Sequence, residues 1–146
     1  MIKKENRGTK FVIIFDGICN MCVWSARFII SRDNNNFFLL TSNQSKLGIE
    51  LLEEHKIDIK KNDSIFLVAN NKVLMRSSAF FFIISHLNTS WKILLFFYPL
   101  PRFLTDFFYD IIAKYRYSFF GKRKKCILPN ELTKKKNYKI ILWKMY

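Results

Sequence analysis

The chain has 146 residues, half of them apolar and 17% aromatic, with 25 Lys/Arg against 11 Asp/Glu for a net charge of +14. This length suits one domain with one core, and the apolar content excludes a disordered chain. No uncharged apolar run reaches the roughly 18 residues of a membrane span, and the apolar run before Asp16 is too short for a signal-peptide core, so a cytoplasmic protein is expected.

Residues 1–10 are polar and are expected to form a flexible N-terminus. Residues 11–15, FVIIF, show no polar alternation and read as a buried central strand. Asp16-Gly17 is a turn signal, and Cys19 and Cys22 follow with C-x-x-C spacing. The apolar residues of 23–30 then recur at helical spacing. Cys22, Ala26, Ile29 and Ile30 make one face, broadened by Trp24 and Phe28, which predicts a largely buried helix. Residues 37–41 read as a second strand, parallel to the first because a helix separates them. A second helix is expected over 43–55 with Ser42 or Asn43 as its cap, then a polar connection over 56–63. Residues 64–69 and 72–75 read as a hairpin around Asn70-Asn71, and 77–87 as a further helix.

Two more helices are expected over 90–98 and 102–115, split by Pro99 and Pro101. In the second, Phe103, Phe107, Ile111 and Tyr115 recur every fourth residue, with Leu104, Phe108 and Ile112 beside them. Packing onto the domain is the expected use of this face; a substrate groove or partner interface is the sharper alternative. Residues 118–125 read as a loop with Gly121 and a basic cluster, and 138–146 fit a strand or a helix equally. The domain is thus expected over 11–126, followed by a basic tail over 127–146. Residues 122–146 carry nine Lys/Arg and one acid. Attraction to nucleic acid or an anionic membrane surface would follow from such a tail, but the surplus also fits a composition rich in Lys, Asn, Ile, Phe and Tyr.

The chemistry concentrates in residues 16–22. Unpaired N–H groups and the positive end of the dipole at a helix start stabilise a thiolate, lowering its pKa from about 8.5 toward about 7 or below. Cys19 is expected to be the exposed attacking sulfur and Cys22 the more buried resolving one. In a reducing cytosol such a pair is redox-active or metal-binding rather than a structural disulfide. Asp16 could accept the resolving thiol's proton, or could serve as a turn aspartate binding a backbone N–H. Cys126, beside Lys122–Lys125, could be a further resolving or regulatory thiol, or an incidental one. Zinc held by Cys19, Cys22, Cys126 and either His55 or His86 is conceivable but lacks the second close-spaced ligand pair of structural zinc sites. No cofactor motif is present: the chain has no Gly-rich phosphate loop, H-E-x-x-H or G-x-S-x-G.

Asp16-Gly17-Ile18-Cys19-Asn20-Met21-Cys22 resembles the D-G-x-C-x-x-C signature of the DCC family of thiol-disulfide oxidoreductases. Arg76-Ser77-Ser78-Ala79 is similar to its R-S-x-A segment, and Pro101-Arg102 and Tyr109-Asp110-Ile111-Ile112-Ala113 to its P-R and Y-D-x-x-A segments. Residues 116–122 and Cys126 resemble its R-Y-x-x-F-G-R ending with a late cysteine, though Lys122 stands at the last position. The resemblance covers roughly residues 10–129. It implies an α/β fold, a thioredoxin-like β-α-β-α-β-β-α core with added C-terminal helices. It also implies thiol-disulfide exchange with a disulfide-bearing protein or small-molecule thiol and an unidentified electron donor. Thioredoxins carry a cis-proline before the third strand that docks substrate; here that position reads Asn62-Asp63-Ser64. A different class of function, a non-enzymatic binding module using the basic tail and the aromatic helices, is the alternative.

Overall fold

The computed structural model describes residues 11–58, 64–69 and 72–126. The expected flexible N-terminus, part of the polar connection, the Asn70-Asn71 turn and the basic tail, with its open reading at 138–146, lie outside the described residues. The first apolar run becomes strand β1, Phe11–Phe15. Strands β2, Phe38–Ser42, β3, Phe66–Ala69, and β4, Lys72–Met75, complete a sheet in the order β2-β1-β3-β4. β1 is parallel to β2, with Ile13 opposite Leu40, and antiparallel to β3, with Ile13 opposite Leu67. β3 and β4 pair antiparallel, as expected of the hairpin.

Helix α1 is Asn20–Arg32, α2 Lys46–Glu54 and α3 Arg76–His86. A 3-10 segment, Ser90–Phe97, and helix α4, Arg102–Phe120, follow. Successive strand residues point to opposite faces. Ile13 and Leu67 therefore pack with Ile29 of α1 and Ala79, Ile83 and Ile84 of α3. Ile14, Phe66 and Val68 pack on the other face with Leu51 and Leu52 of α2. Both faces of β1 are covered, which is why its sequence shows no polar alternation. The element order and the mixed sheet between helices form the expected thioredoxin-like α/β arrangement.

Several expectations change. The cap of α2 is Ser45, whose Oγ accepts from Gly48 N at 3.0 Å, rather than Ser42 or Asn43. The stretch Thr41 to Ser45 offers several capping side chains, but Ser42 is still paired in β2. Trp24 is exposed rather than part of the buried face of α1, which is Val23, Ala26, Ile29 and Ile30. The segment before Pro99 forms 3-10 turns, with Tyr98 N bonded to Leu95 O, as short connectors often do. α4 runs on to Phe120 and ends at Gly121, whose φ of 74° suits glycine.

The largest change concerns α4 itself. Its stripe of Phe103, Phe107, Ile111 and Tyr115 does not pack onto the domain but faces solvent. The face turned to the domain, against α3 and α1, carries polar side chains instead. Ser77 bonds to Thr105 at 3.2 Å and to Asp106, and Ile65 N–H donates to the Tyr109 hydroxyl at 3.1 Å. Arg76 and Asp110 form an ion pair at 3.4 Å on the surface.

Candidate active site

The site lies where the C-terminal end of β1 turns into α1. Asp16 follows the strand, and Gly17 makes the turn. A Cβ at residue 17 would meet Cys126 Sγ and Ser42 Oγ, so a larger residue there would require those side chains to shift. Cys19 is the N-cap of α1, with extended backbone, and its Sγ accepts from Cys22 N at 3.4 Å. The chain thus uses a sulfur where helices ordinarily place a hydroxyl or carboxylate oxygen.

This position activates the thiol. The Cys19 pKa is drawn down from 9.0 to about 6, first by the hydrogen bond from the Cys22 side chain, then by the Cys22 N–H and the Arg116 charge, against burial and the Asp16 charge. Cys22 is pushed strongly the other way, because its proton is held by Cys19 and the sulfur is desolvated. The proton of the pair therefore resides on Cys22, and both sulfurs are reduced.

Behind the thiols is a buried polar cluster. Arg116 is 3% exposed and donates from Nη2 to Asp16 Oδ2 at 3.3 Å, and from Nη1 toward Cys22 Sγ at 3.7 Å. Tyr117 accepts from Arg116 Nη2 at 2.8 Å and donates to the same Asp16 oxygen. Burial and this donation push the Tyr117 pKa up, so it stays a phenol. The second Asp16 oxygen accepts from Ile18 N at 3.1 Å and Gln44 Nε2 at 2.8 Å. Asp16 therefore does hold a turn N–H, as one of its two expected roles required. It also fixes Arg116 beside the resolving sulfur. The Arg116 guanidinium and Lys122 ammonium both lie on the Tyr117 ring, at 4.6 and 4.3 Å.

Exposure of the two sulfurs is opposite to expectation. Cys19 is 0% exposed, whereas Cys22 is partly exposed. Residues 121–126 lie across the start of α1 and cover Cys19. Arg123 N bonds to Ile18 O at 2.7 Å, the Asn20 side chain bonds to Phe120 O at 2.7 Å, and Lys122 bridges to Cys19. The sequence reading took a helix-start position as an exposed one, without the returning segment.

Cys126 comes to the same end of the sheet, with Ser42 Oγ at 3.3 Å and Gln44 Oε1 at 3.4 Å. The zinc grouping does not form: among the described residues no three His, Cys, Asp or Glu groups gather at metal-binding distance. His86 is stacked on Phe82 and bordered by Phe11 and Phe37, inside an aromatic cluster. Just before β3 the Ile65 N–H is taken by Tyr109, whose pKa burial raises to about 12; of the Asn62-Asp63-Ser64 position matched to the thioredoxin docking loop, Asn62 and Asp63 lie outside the described residues. Arg116, Tyr117 and Gln44 were not singled out as site residues from the sequence. The available signal for the first two was the R-Y segment, which ties them to the same family pattern as the cysteines.

The model of the DCC1-like thiol-disulfide oxidoreductase family matches residues 13–122, which hold Asp16, Cys19, Cys22, Gln44, Arg116 and Tyr117 but not Cys126. The chain belongs to that family. It is 35% identical over 125 residues to the uncharacterized protein YuxK of Bacillus subtilis (strain 168), covering 86% of this chain and 91% of YuxK. It is 30% identical over 118 residues to the chloroplastic DCC family protein At1g52590 of Arabidopsis thaliana, covering 80% of this chain and 69% of that protein. No solved structure matches the chain. The segments on which the sequence resemblance rests meet in space: Arg76 at the start of α3 pairs with Asp110 of α4, and Arg116 closes on Asp16 of the turn before α1.

Proposed function

We propose that this protein is a thiol-disulfide oxidoreductase in which Cys19 is the nucleophile and Cys22 the resolving thiol. The observation that carries this reading is the Cys19 sulfur capping α1, with Cys22 N–H at 3.4 Å and a pKa drawn to about 6. Family membership supports the same class of activity. The Cys19 thiolate attacks one sulfur of a substrate disulfide, and that S–S bond breaks. A mixed disulfide forms, and the leaving thiolate takes a proton from solvent. Cys22 loses its proton and attacks Cys19 Sγ, forming the Cys19–Cys22 disulfide and releasing the second substrate thiolate. Two electrons pass from the protein to the substrate, and an external dithiol donor restores the pair.

Arg116 and Asp16 serve the second step. While Cys19 is a thiolate it holds the Cys22 proton; once Cys19 is in the mixed disulfide that hold is gone. The Arg116 charge then favours the Cys22 thiolate. Asp16 accepts from four donors, and its link to the Cys22 sulfur runs through Arg116, which donates toward that sulfur. We therefore assign Asp16 as a positioning residue for Arg116 rather than as the proton acceptor. For Cys19 to meet a substrate, residues 121–126 must move aside. A reducing compartment such as the cytoplasm suits a pair that acts as reductant.

The test is turnover of oxidised glutathione with a dithiol donor, alongside mass spectrometry of trapped intermediates. Cys19→Ser is expected to abolish exchange and Cys22→Ser to accumulate a glutathione adduct on Cys19. Undiminished exchange by Cys19→Ser would contradict the assignment.

A further inference from the structure

The segment that covers Cys19 is held as a strand. Cys19 and Lys122 form an antiparallel bridge. It is flanked by Arg123 N–H donating to Ile18 O at 2.7 Å and Asn20 N–H donating to Gly121 O at 3.5 Å. Bonds on either side of the bridge make Cys19 and Lys122 a non-hydrogen-bonded pair, whose Cα atoms ordinarily lie about 4.5 Å apart with both side chains on one face. That separation falls inside the range of roughly 4.4–6.8 Å across which a disulfide closes. Lys122 therefore stands where the half-cystine of a mixed disulfide with Cys19 would stand. Its own side chain lies on the Tyr117 ring, the ammonium 4.3 Å from the centroid.

The segment is tethered but not packed. Asn20 Nδ2 donates to Phe120 O at 2.7 Å, and Arg123 Nη1 donates to Asn20 Oδ1 at 3.4 Å. At the far end Cys126 Sγ meets Ser42 Oγ at 3.3 Å. None of residues 121–126 is buried, and none enters a hydrophobic cluster of the described residues. The segment can thus lift without opening the core. Lifting it leaves the Ile18 carbonyl and the Asn20 N–H as an open edge, the kind of group that pairs with an added strand. An extended polypeptide satisfies both groups in the register that the segment used. A compact disulfide displaces the same bonds and replaces fewer of them.

We propose that residues 121–126 hold the place of substrate main chain, and that the substrate is an extended segment of a disulfide-bonded polypeptide, which displaces them and sets its half-cystine at the register of Lys122. The residue after that half-cystine donates its N–H to Ile18 O, as Arg123 does in the closed protein. The Cys19 thiolate attacks the half-cystine, the substrate S–S bond breaks, and the departing thiolate takes a proton from solvent. This inference rests on the redox reading and adds to it the class of substrate and the segment that governs access.

The test compares kcat/KM of the full chain, with a dithiol donor, for two disulfide-linked peptide dimers. Both are uncharged octapeptides with a central cysteine. In one the next residue is alanine; in the other it is N-methylalanine, which has no N–H to donate. The alanine peptide is expected to be exchanged about fivefold or more faster, the effect of one hydrogen bond, while dithiothreitol alone reduces both equally. Arg123→Pro removes the N–H to Ile18 O, and Asn20→Ala removes both side-chain tethers. Each is expected to raise kcat/KM for the alanine peptide about fivefold or more. Equal rates for the two peptides would overturn the pairing. Unchanged or slower exchange in both variants would make residues 121–126 a fixed wall of the site and would overturn it too. A further arm places Lys122→Cys in a Cys22→Ser, Cys126→Ser background and adds oxidised glutathione. Cys19 takes one glutathione and releases the other. The introduced thiol, as its thiolate, then attacks Cys19 Sγ, expels the second glutathione and links residue 122 to Cys19. The glutathione adduct is expected to persist in the background and to be lost with Lys122→Cys. Persistence in both would overturn the register. An adduct that never forms on Cys19 in the background would overturn the redox reading itself, and the proposal with it, so the two failures are told apart.

Discussion

The inner and outer faces of α4 are held to the protein by different physics. The inner face carries little of the apolar burial that fixes α1, α2 and α3 on the sheet. It is fixed by directional bonds: Asp106 to Ser77, Tyr109 to Ile65, and Arg116 and Tyr117 to Asp16. A hydrogen bond contributes only about 1 kcal/mol net, but a buried polar group left unpaired costs more. Such a face specifies one position for the helix, which a site depending on Arg116 at the resolving sulfur requires. The outer face, free of that duty, is where the apolar residues are spent.

Substitutions on the two faces and at the thiols should separate these roles. The largest effect is expected from Arg116→Met, which leaves buried Asp16 without its ion pair. Breaking a buried pair costs about 3–5 kcal/mol, and urea unfolding of the reduced protein should show a loss of that order. Because the Arg116 charge lowers the Cys19 pKa, the same variant should move the pH midpoint of Cys19 alkylation upward from about 6. A stable variant with an unmoved midpoint would break the account of the inner face.

Tyr109→Phe removes the acceptor of the Ile65 N–H and should cost about 1–3 kcal/mol, read by thermal or urea unfolding. Gly121→Val strains a backbone with φ at 74° by about 1–3 kcal/mol. It should loosen the covering residues, so alkylation of Cys19 should become faster at a pH where its ionisation is complete. Phe107→Ser on the outer face should change stability in solution by no more than about 0.5 kcal/mol, as surface substitutions do. A large loss there would mean that the outer face packs against the protein after all.

Ionisation of Cys19 also has a stability consequence. Its pKa is lower in the folded protein than the ordinary 9.0. The added stability of the reduced protein is thus fully present above about pH 9 and is lost as pH falls through about 6. The stability difference between reduced wild type and Cys19→Ser, measured by urea unfolding from pH 5 to pH 9 in steps of about one unit, should move in favour of wild type as pH rises.

Much of the sheet was legible in the sequence. FVIIF, the Asp-Gly turn and the hairpin signals each state a local preference that the pairing obeys. The thiol pair was legible because C-x-x-C after a strand and turn puts two sulfurs on one helix start. What was not legible came from residues far apart in the chain. Cys19 is covered by a segment that includes Lys122, and Arg116 reaches Asp16 from 100 positions along the chain. The periodicity of Phe103, Phe107, Ile111 and Tyr115 gave the helix but not its orientation. An apolar stripe predicts burial only if the opposite face has no stronger claim on the domain, and here Arg116, Tyr117 and Tyr109 have it.

The most direct test of the central claim is the rate of Cys19 alkylation against pH, followed by mass spectrometry on reduced protein. The account predicts that Cys19 reacts with a midpoint at about 6 while Cys22 stays protonated through neutral pH. A midpoint at the ordinary thiol value, or a Cys19 inert until the protein unfolds, would contradict it.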